Sequence, residues 1–288
     1  MSGPVVRTIT LDFGNTLVPV DRRGLARVVE RTARVLAERC GPFSEERFLD
    51  VWAEERARQF AEEVPRFREV DMAVRVTRVL ARLRGMPAPP SDQRWDDAAA
   101  ARLSDPEELV FAVETYSRSF VEAMPPPPSV GPLLDRLSTT HRLAVLSNWP
   151  LAVTIDRYIE AAGWARHFDA IVVSQRVGWI KPHEAIFRAT EAMLGLRPDD
   201  RATTMHVGDD WAADVVGAKR AGWLAAHLSS RPEDSPLPSS ERDGSVEADL
   251  ELPSLDALET ALASRPPRGA RPPSVAGIAS VDSGRGAP

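Results

Sequence analysis

One cysteine, two lysines and two tyrosines in 288 residues leave several kinds of protein out of consideration. A single cysteine, Cys40, excludes an intrachain disulfide and a cysteine-rich zinc site, and it suits a reducing compartment. No apolar run approaches the ~20 residues of a membrane-spanning helix. The N-terminus enters a β-branched segment almost at once, without the basic, apolar and small-residue regions of a signal peptide, so the expected location is the cytoplasm. An excess of positive charge is missing too. The formal charge of -6 and pI near 5.5 speak against nucleic acid or an anionic membrane as the main partner, and favour a small soluble ligand. Of the 36 basic residues all but Lys181 and Lys219 are arginine. In that background a lysine points to a position where a compact ammonium serves and a guanidinium does not.

Between about Arg23 and Phe120 the apolar residues recur with helical spacing, as in Leu25, Val28, Val29, Val35 and Leu36. Ser44 with Glu45 and Glu46 starts a second helix through Phe48, Val51 and Trp52, and Val70 to Leu83 forms a third that stops at Gly85 and Pro87. Asp105-Pro106 opens a further helix, with Asp as N-cap and Pro in the first turn. The run Pro125–Pro128 ends this all-helical stretch. After it come short apolar runs at Arg142–Leu146, Ala170–Val173, Thr203–Val207 and Leu224–Leu228, separated by helical segments. That alternation predicts an α/β fold: a Rossmann-like parallel sheet to which Thr8–Leu11 contributes the first strand. The expected organisation is a discontinuous core over residues 1–18 and 125–263, an inserted helical module over 19–124, and a disordered tail over 264–288. Ser229 to Glu247, rich in Ser, Pro and charge, reads as a long surface loop, followed by a last strand at Ala248–Leu252 and a helix at Ser254–Leu262. The sequence has no internal repeat.

Four predicted strand ends carry candidate polar groups: Asp12, the pair Ser147 and Asn148, Lys181, and the trio Asp209, Asp210 and Asp214. The carboxyl ends of parallel strands share one edge, so groups two hundred residues apart can meet in one crevice. The carboxylates would suit a hard cation such as Mg²⁺. Ser147 and Asn148 could offer a hydroxyl and backbone amides to phosphate, and Lys181 could neutralise charge there. Each signal taken singly has an ordinary reading as well: an Asx turn at Asp12, a turn at Ser147-Asn148, a solvated loop lysine, and an acidic helix start at Asp209 to Asp214.

Taken in order, LDFGNTL, VLSNW, VGWIKP and HVGDDWAADVVGAKRAGW resemble the motifs of the haloacid dehalogenase superfamily of aspartate-nucleophile hydrolases. The resemblance implies a Mg²⁺-dependent phosphatase of a small phosphorylated metabolite, with Asp12 as nucleophile forming an aspartyl-phosphate. It implies that Ser147, Asn148 and Lys181 hold the phosphate, that Asp12, the Gly14 carbonyl and Asp209 hold Mg²⁺ with Asp214 supporting, and that the helical insert is a cap. One position departs from the pattern. Phosphatases of the superfamily carry a second aspartate two residues after the nucleophile as general acid, and here Gly14 stands there. General acid-base help is worth ~10² to 10⁴ in rate, so leaving groups that depart easily, such as sugar 1-phosphates, acyl phosphates and aryl phosphates, are favoured. Asp21, Asp210 or a cap residue are the alternative proton donors. Two rival readings stay open: a metal-independent 2-haloacid dehalogenase, with which Gly14 is compatible, and a non-catalytic phosphate- or partner-binding homologue.

Overall fold

A computed structural model describes residues 5–263. The tail expected over 264–288 lies outside the described residues. Thr8–Leu11 (β1) is buried at all four positions, as a strand with neighbours on both sides and helices on both faces requires. Around it lie Arg142–Ser147 (β2), Phe168–Val173 (β3), Thr204–Gly208 (β4), Leu224–Leu228 (β5) and Leu250–Leu252 (β6). All pairs are parallel and the order is β3-β2-β1-β4-β5-β6. Leu11 stands level with Val145 on one side and Val207 on the other. The strand order therefore reverses across β1, and the carboxyl end of β1 opens into the crevice where such sheets bind ligands.

Side chains alternate between the faces. Leu143 and Val145 join a core with Ile9, Leu11 and the helices of the first half, while Ala144 and Leu146 join a second with Phe187, Trp211 and Trp223. Between β1 and β2 come Arg22–Cys40 (α1), Glu45–Glu63 (α2), Met72–Leu83 (α3), Asp97–Ala101 (α4), Pro106–Ala123 (α5) and Val130–Leu137 (α6). Their ends follow from local chemistry. Asp21, Ser44 and Asp71 accept hydrogen bonds from first-turn amides of α1, α2 and α3, and Asp105 with Glu108 closes a capping box on α5. The third helix begins at Met72 rather than Val70, because Asp71 is its cap. Ala152–Ala161 (α7), Ser174–Val177 (α8) and Glu184–Leu194 (α9) follow in the second half. Trp211–Val216 is wound as a π-helix that passes into Gly217–Arg220 (α10), and Ala257–Ala263 (α11) closes the described chain. No helix among the described residues is long and apolar enough to cross a membrane.

Phe13, immediately after β1, ties the sheet to the helical layer. Its ring packs edge-on against Trp149 and Tyr158 at centroid distances of 5.3 Å, and lies 6.2 Å from Phe120 of α5. Complete burial of such a side chain stabilises by roughly 1.5–3 kcal/mol, before the preference of the rings for these geometries is added.

The segment between β5 and β6 is a loop, as its composition suggests, but it folds inward. Leu237 packs against the main core, Arg56 of α2 donates to the Pro236 carbonyl (3.3 Å), and Ser240 donates to Asp210 (2.8 Å). The run Pro236-Leu237-Pro238 carries apolar surface to bury, which a count of Ser, Pro and charge conceals.

Candidate active site

The end of β1 is held by backbone bonding before any side chain acts. The Asp12 amide donates to the Val207 carbonyl of β4 (2.9 Å), and the chain then turns through Asn15 at φ 57°. Asparagine tolerates that left-handed conformation better than most residues. Its side chain donates to Asp209 (3.2 Å) and to Ser235 (3.0 Å), so the turn fixes a carboxylate of the neighbouring strand.

Lys181 is the centre of the cluster. It is 2% exposed, and its Nζ donates to Asp12 Oδ1 (3.0 Å), Asp214 Oδ1 (2.6 Å) and the Leu146 carbonyl (2.9 Å). Burial works against its charge, but the two aspartates override that and hold the ammonium above its ordinary range. Asp214 is buried as well, and burial opposes its ionisation. Lys181 and His206 outweigh that and keep it ionised well below the usual carboxylate range. Its second oxygen accepts from the Asp210 amide (2.9 Å). Gly208 makes this position possible, since a Cβ there would lie 2.1 Å from Asp214 Oδ2.

His206, in β4, completes the buried network. Its Nε2 is 3.0 Å from Asp214 Oδ1 and 3.3 Å from Lys181 Nζ, while its Nδ1 is 2.8 Å from Thr10 Oγ1. Burial, then Lys181, pushes its pKa down, against the pull of Asp214 and Asp12. Asp12 and Asp209 are shifted upward instead, chiefly by burial. Burial raises the Asp12 carboxyl and Asp214 adds to this, against the pull of Lys181. Asp209 is raised to about 8, first by burial and then by Asp214 and Asp12, although Arg231 (3.2 Å) and Asn15 oppose the shift.

One oxygen from each of Asp12, Asp209 and Asp214 lies within 4.8 Å of the others. Hard carboxylate oxygens, that of Asp209 driven toward protonation by burial and by its two carboxylate neighbours, fit a divalent cation such as Mg²⁺. The structure thus brings together Asp12, Lys181, Asp209 and Asp214. Gly14 and Asn148 line the same cavity of about 360 Å³. The Asn148 side chain, however, is engaged by Lys181: its Nδ2 donates to the Lys181 carbonyl (3.1 Å) and its Oδ1 accepts from the Lys181 amide (2.7 Å). Ser147 sits at the end of β2, fully buried, with a hydroxyl that has no protein partner.

At Gly14 a Cβ would lie 2.5 Å from Leu237 Cδ1 and 3.2 Å from Trp149. The inward loop therefore fills the space a longer side chain would need. Of the alternative proton donors, Asp21 caps α1 and is not among the cavity-lining residues, whereas Asp210 lines the cavity and caps the π-helix through Ala213. Glu69, on the helical side, also lines it, and burial lifts its carboxyl to about 6 against hydrogen bonds from Ser174 and Val70. Sequence reasoning missed Asn15, His206, Glu69 and Arg231. Asn15 and His206 stood inside the motifs, and an asparagine beside a glycine in a strand-end turn was the available signal for the former.

A parallel sheet with its strand order reversing at a carboxylate, and a buried lysine joining that carboxylate to another, define a hydrolase fold with a charged crevice. The model of the haloacid dehalogenase-like hydrolases matches residues 6–222, and the chain belongs to that family. It is similar to pyrimidine 5'-nucleotidase YjjG of Escherichia coli, 30% identical over 124 residues, which are 42% of this chain and 54% of that one. It is also similar to glyceraldehyde 3-phosphate phosphatase of Methanothermobacter thermautotrophicus, 30% identical over 151 residues, 51% of this chain and 62% of that one. The chain spans about half the length of the curated relatives it matches. Among solved structures, a 2-haloacid dehalogenase from Pseudomonas syringae superposes with a TM-score of 0.61 at 21% identity, covering 90% of this chain and 99% of that one. The magnesium-bound HAD-hydrolase YfnB from Bacillus subtilis superposes with a TM-score of 0.55 at 19% identity, with the same coverage. At these identities the structural likeness concerns the fold alone.

Proposed function

We propose that the chain is a Mg²⁺-dependent phosphatase of small phosphorylated metabolites in the cytoplasm, with Asp12 as nucleophile and the helices α1–α5 as a cap over the site. The observation that carries this reading is the clustering of Asp12, Asp209 and Asp214, two of which, Asp12 and Asp214, pair with the buried ammonium of Lys181. A crevice with surplus carboxylate accepts a divalent ion, and the ion together with Lys181 offsets the repulsion between a carboxylate and a phosphate dianion. Asp12, Asp209 and the Gly14 carbonyl would hold Mg²⁺, with Asp214 ordering Lys181 and the Asp210 amide. When bound, the ion supplies Lewis-acid charge at the phosphoryl oxygens.

The chain's own groups then do the following. A carboxylate oxygen of Asp12 attacks phosphorus as the bond to the leaving oxygen breaks, and that oxygen takes up a proton. Water next attacks the aspartyl-phosphate, releasing phosphate and restoring Asp12. Lys181 stays bonded to Asp12 throughout and presents positive charge to the phosphoryl oxygens. Ser147 is assigned to the phosphate from its motif alone: its hydroxyl is unpartnered but fully buried and outside the cavity lining. Asn148 acts on the substrate indirectly, by fixing the Lys181 backbone.

The absence of an acid at Gly14 favours leaving groups that need little protonation. It is also the one feature that favours dehalogenation, a reaction in which Asp12 would attack carbon. Phosphate release from an aryl phosphate and from a panel of phosphorylated metabolites, with and without Mg²⁺, separates the two. Release that needs Mg²⁺ and is lost in Asp12→Asn is the expected result. Chloride release from a 2-haloacid without Mg²⁺, and no phosphate from any ester, would overturn it.

A further inference from the structure

The cavity has a second charged wall. Arg56 of α2, Arg75 of α3 and Tyr116 of α5 line it from the helical side, while Asp12 and Lys181 line it from the sheet. Arg75 is 3% exposed, and Gln59 fixes its orientation by accepting from Nε (2.9 Å). Its Nη2 is buried without a hydrogen-bond partner. Neither Arg56 nor Arg75 forms an ion pair with a carboxylate among the described residues, although nearly every other buried arginine does, as Arg78 shows with Glu62 and Asp97. Glu69, the acid of that wall, is occupied by Ser174 and Val70. Burial works most strongly against the charge of Arg75 and Arg56 adds to this; Tyr116, Glu69 and Asp71 offset it only in part, so the group is held below its ordinary range, at about 10.

A buried guanidinium with no direct ion pair and an unpartnered Nη2 is costly, and one that lines a cavity marks the place of a missing partner. The planar fork of arginine suits a carboxylate or a phosphate held bidentately, and the buried phenol of Tyr116 lies beside it. Trp52 backs the group, with the Arg75 guanidinium 5.5 Å from its ring centroid.

We infer that Arg75, with Arg56 and Tyr116, forms a subsite for a second anionic group of the substrate, so that the preferred substrates are phosphomonoesters carrying a carboxylate or a further phosphate. This rests on the reading of Asp12 and Lys181 as the phosphoryl site, and its test is kept separate from turnover. Binding is measured calorimetrically on the Asp12→Asn protein with Mg²⁺, using glycerol 3-phosphate, 3-phosphoglycerate and fructose 1,6-bisphosphate. The first probe has one anionic group, the second adds a carboxylate and the third a phosphate. At least one of the last two is expected to bind about tenfold or more tighter than glycerol 3-phosphate, and which one identifies the group recognised. Adding Arg75→Gln should shrink that margin to within about threefold, and Arg75→Lys, which keeps the charge without the fork, should restore it only in part. Arg56→Gln, at a half-buried position, should also narrow it and serves if the Arg75 variants do not fold. Equal affinities for the three probes, including no measurable binding of any, overturn the subsite, as does a margin that survives both Arg75→Gln and Arg56→Gln. Absence of phosphate release by the unaltered protein would count against the phosphatase reading, while these margins would still decide the subsite.

Discussion

The carboxylate of Asp209 offers a direct test of how the site handles unbalanced charge. Its folded-state pKa is raised from 3.8 to about 8, chiefly by burial and then by Asp214 and Asp12. The sign follows from proton binding. Between those two values the unfolded chain has released the proton that the folded chain keeps, so stability falls as pH rises and levels off above about 8. The ceiling is about 1.4 kcal/mol per pH unit. Other groups overlap at lower pH. Glu69, raised to about 6, acts in the same direction, and His141, His167 and His206, all lowered from 6.5, act in the opposite one. The histidines of the unfolded chain titrate through pH 6.5 and Asp12 is raised as well, so Asp209 is isolated by difference: between pH 6.5 and 8 the stability of the unaltered protein should fall relative to that of Asp209→Asn by up to roughly 2 kcal/mol. Urea unfolding of the metal-free protein and of Asp209→Asn across that window should show this divergence. Saturating Mg²⁺ should flatten the slope in the unaltered protein, because the ion supplies the missing charge, so stabilisation by Mg²⁺ grows with pH. Parallel losses in the two proteins, or equal stabilisation of Asp209→Asn by Mg²⁺, would refute the account.

Lys181→Met should abolish turnover and cost about 3–5 kcal/mol at neutral pH, since it leaves Asp12 and Asp214 buried without their cation; chemical denaturation checks this, and the penalty should shrink in acid. Gly14→Asp should lower stability by about 1–3 kcal/mol through overpacking against Leu237 without gain on alkyl phosphates, whereas Gly14→Asp with Leu237→Ala should recover most of the loss. A fully stable single variant would show that the loop yields freely. Asn15→Ala should cost about 1–2 kcal/mol, because alanine tolerates positive φ less well than asparagine and the bonds to Asp209, Ser235 and the Val20 amide are lost, and it should weaken Mg²⁺ binding by freeing Asp209, both measurable by calorimetry.

Much of this architecture is written in local pattern. The short apolar runs, the helix starts at Ser44 and Asp105, and the order of polar strand ends all follow from short-range rules, so the parallel sheet and the meeting of Asp12, Lys181, Asp209 and Asp214 were legible, whereas the caps at Asp21 and Asp71 were not singled out. What escaped depends on distance in the chain. Asn148 reads as a source of a backbone amide for phosphate, and only the fold reveals its side chain bracing a backbone 33 residues away. Arg75 looks like one more arginine in a helix rich in them, because nothing in the sequence says which arginines lack a carboxylate. Leu237 is a single apolar residue in a polar segment, and its place over Gly14 arises only because β5 and β6 are neighbours whose connection passes above the carboxyl edge.

That connection has a consequence for how such an enzyme changes over time. It spans the gap between two strands that pair directly, so neither the sheet nor the helices depend on its length, and lengthening it costs little in closure entropy. Yet it reaches Asn15, Asp209, Asp210 and Arg56 at once. The stretch least constrained by folding is thus a wall of the reaction chamber. Substitutions there can be sampled without forfeiting the scaffold, and grafting other loops at this point is a route to redirecting the enzyme's choice of substrate.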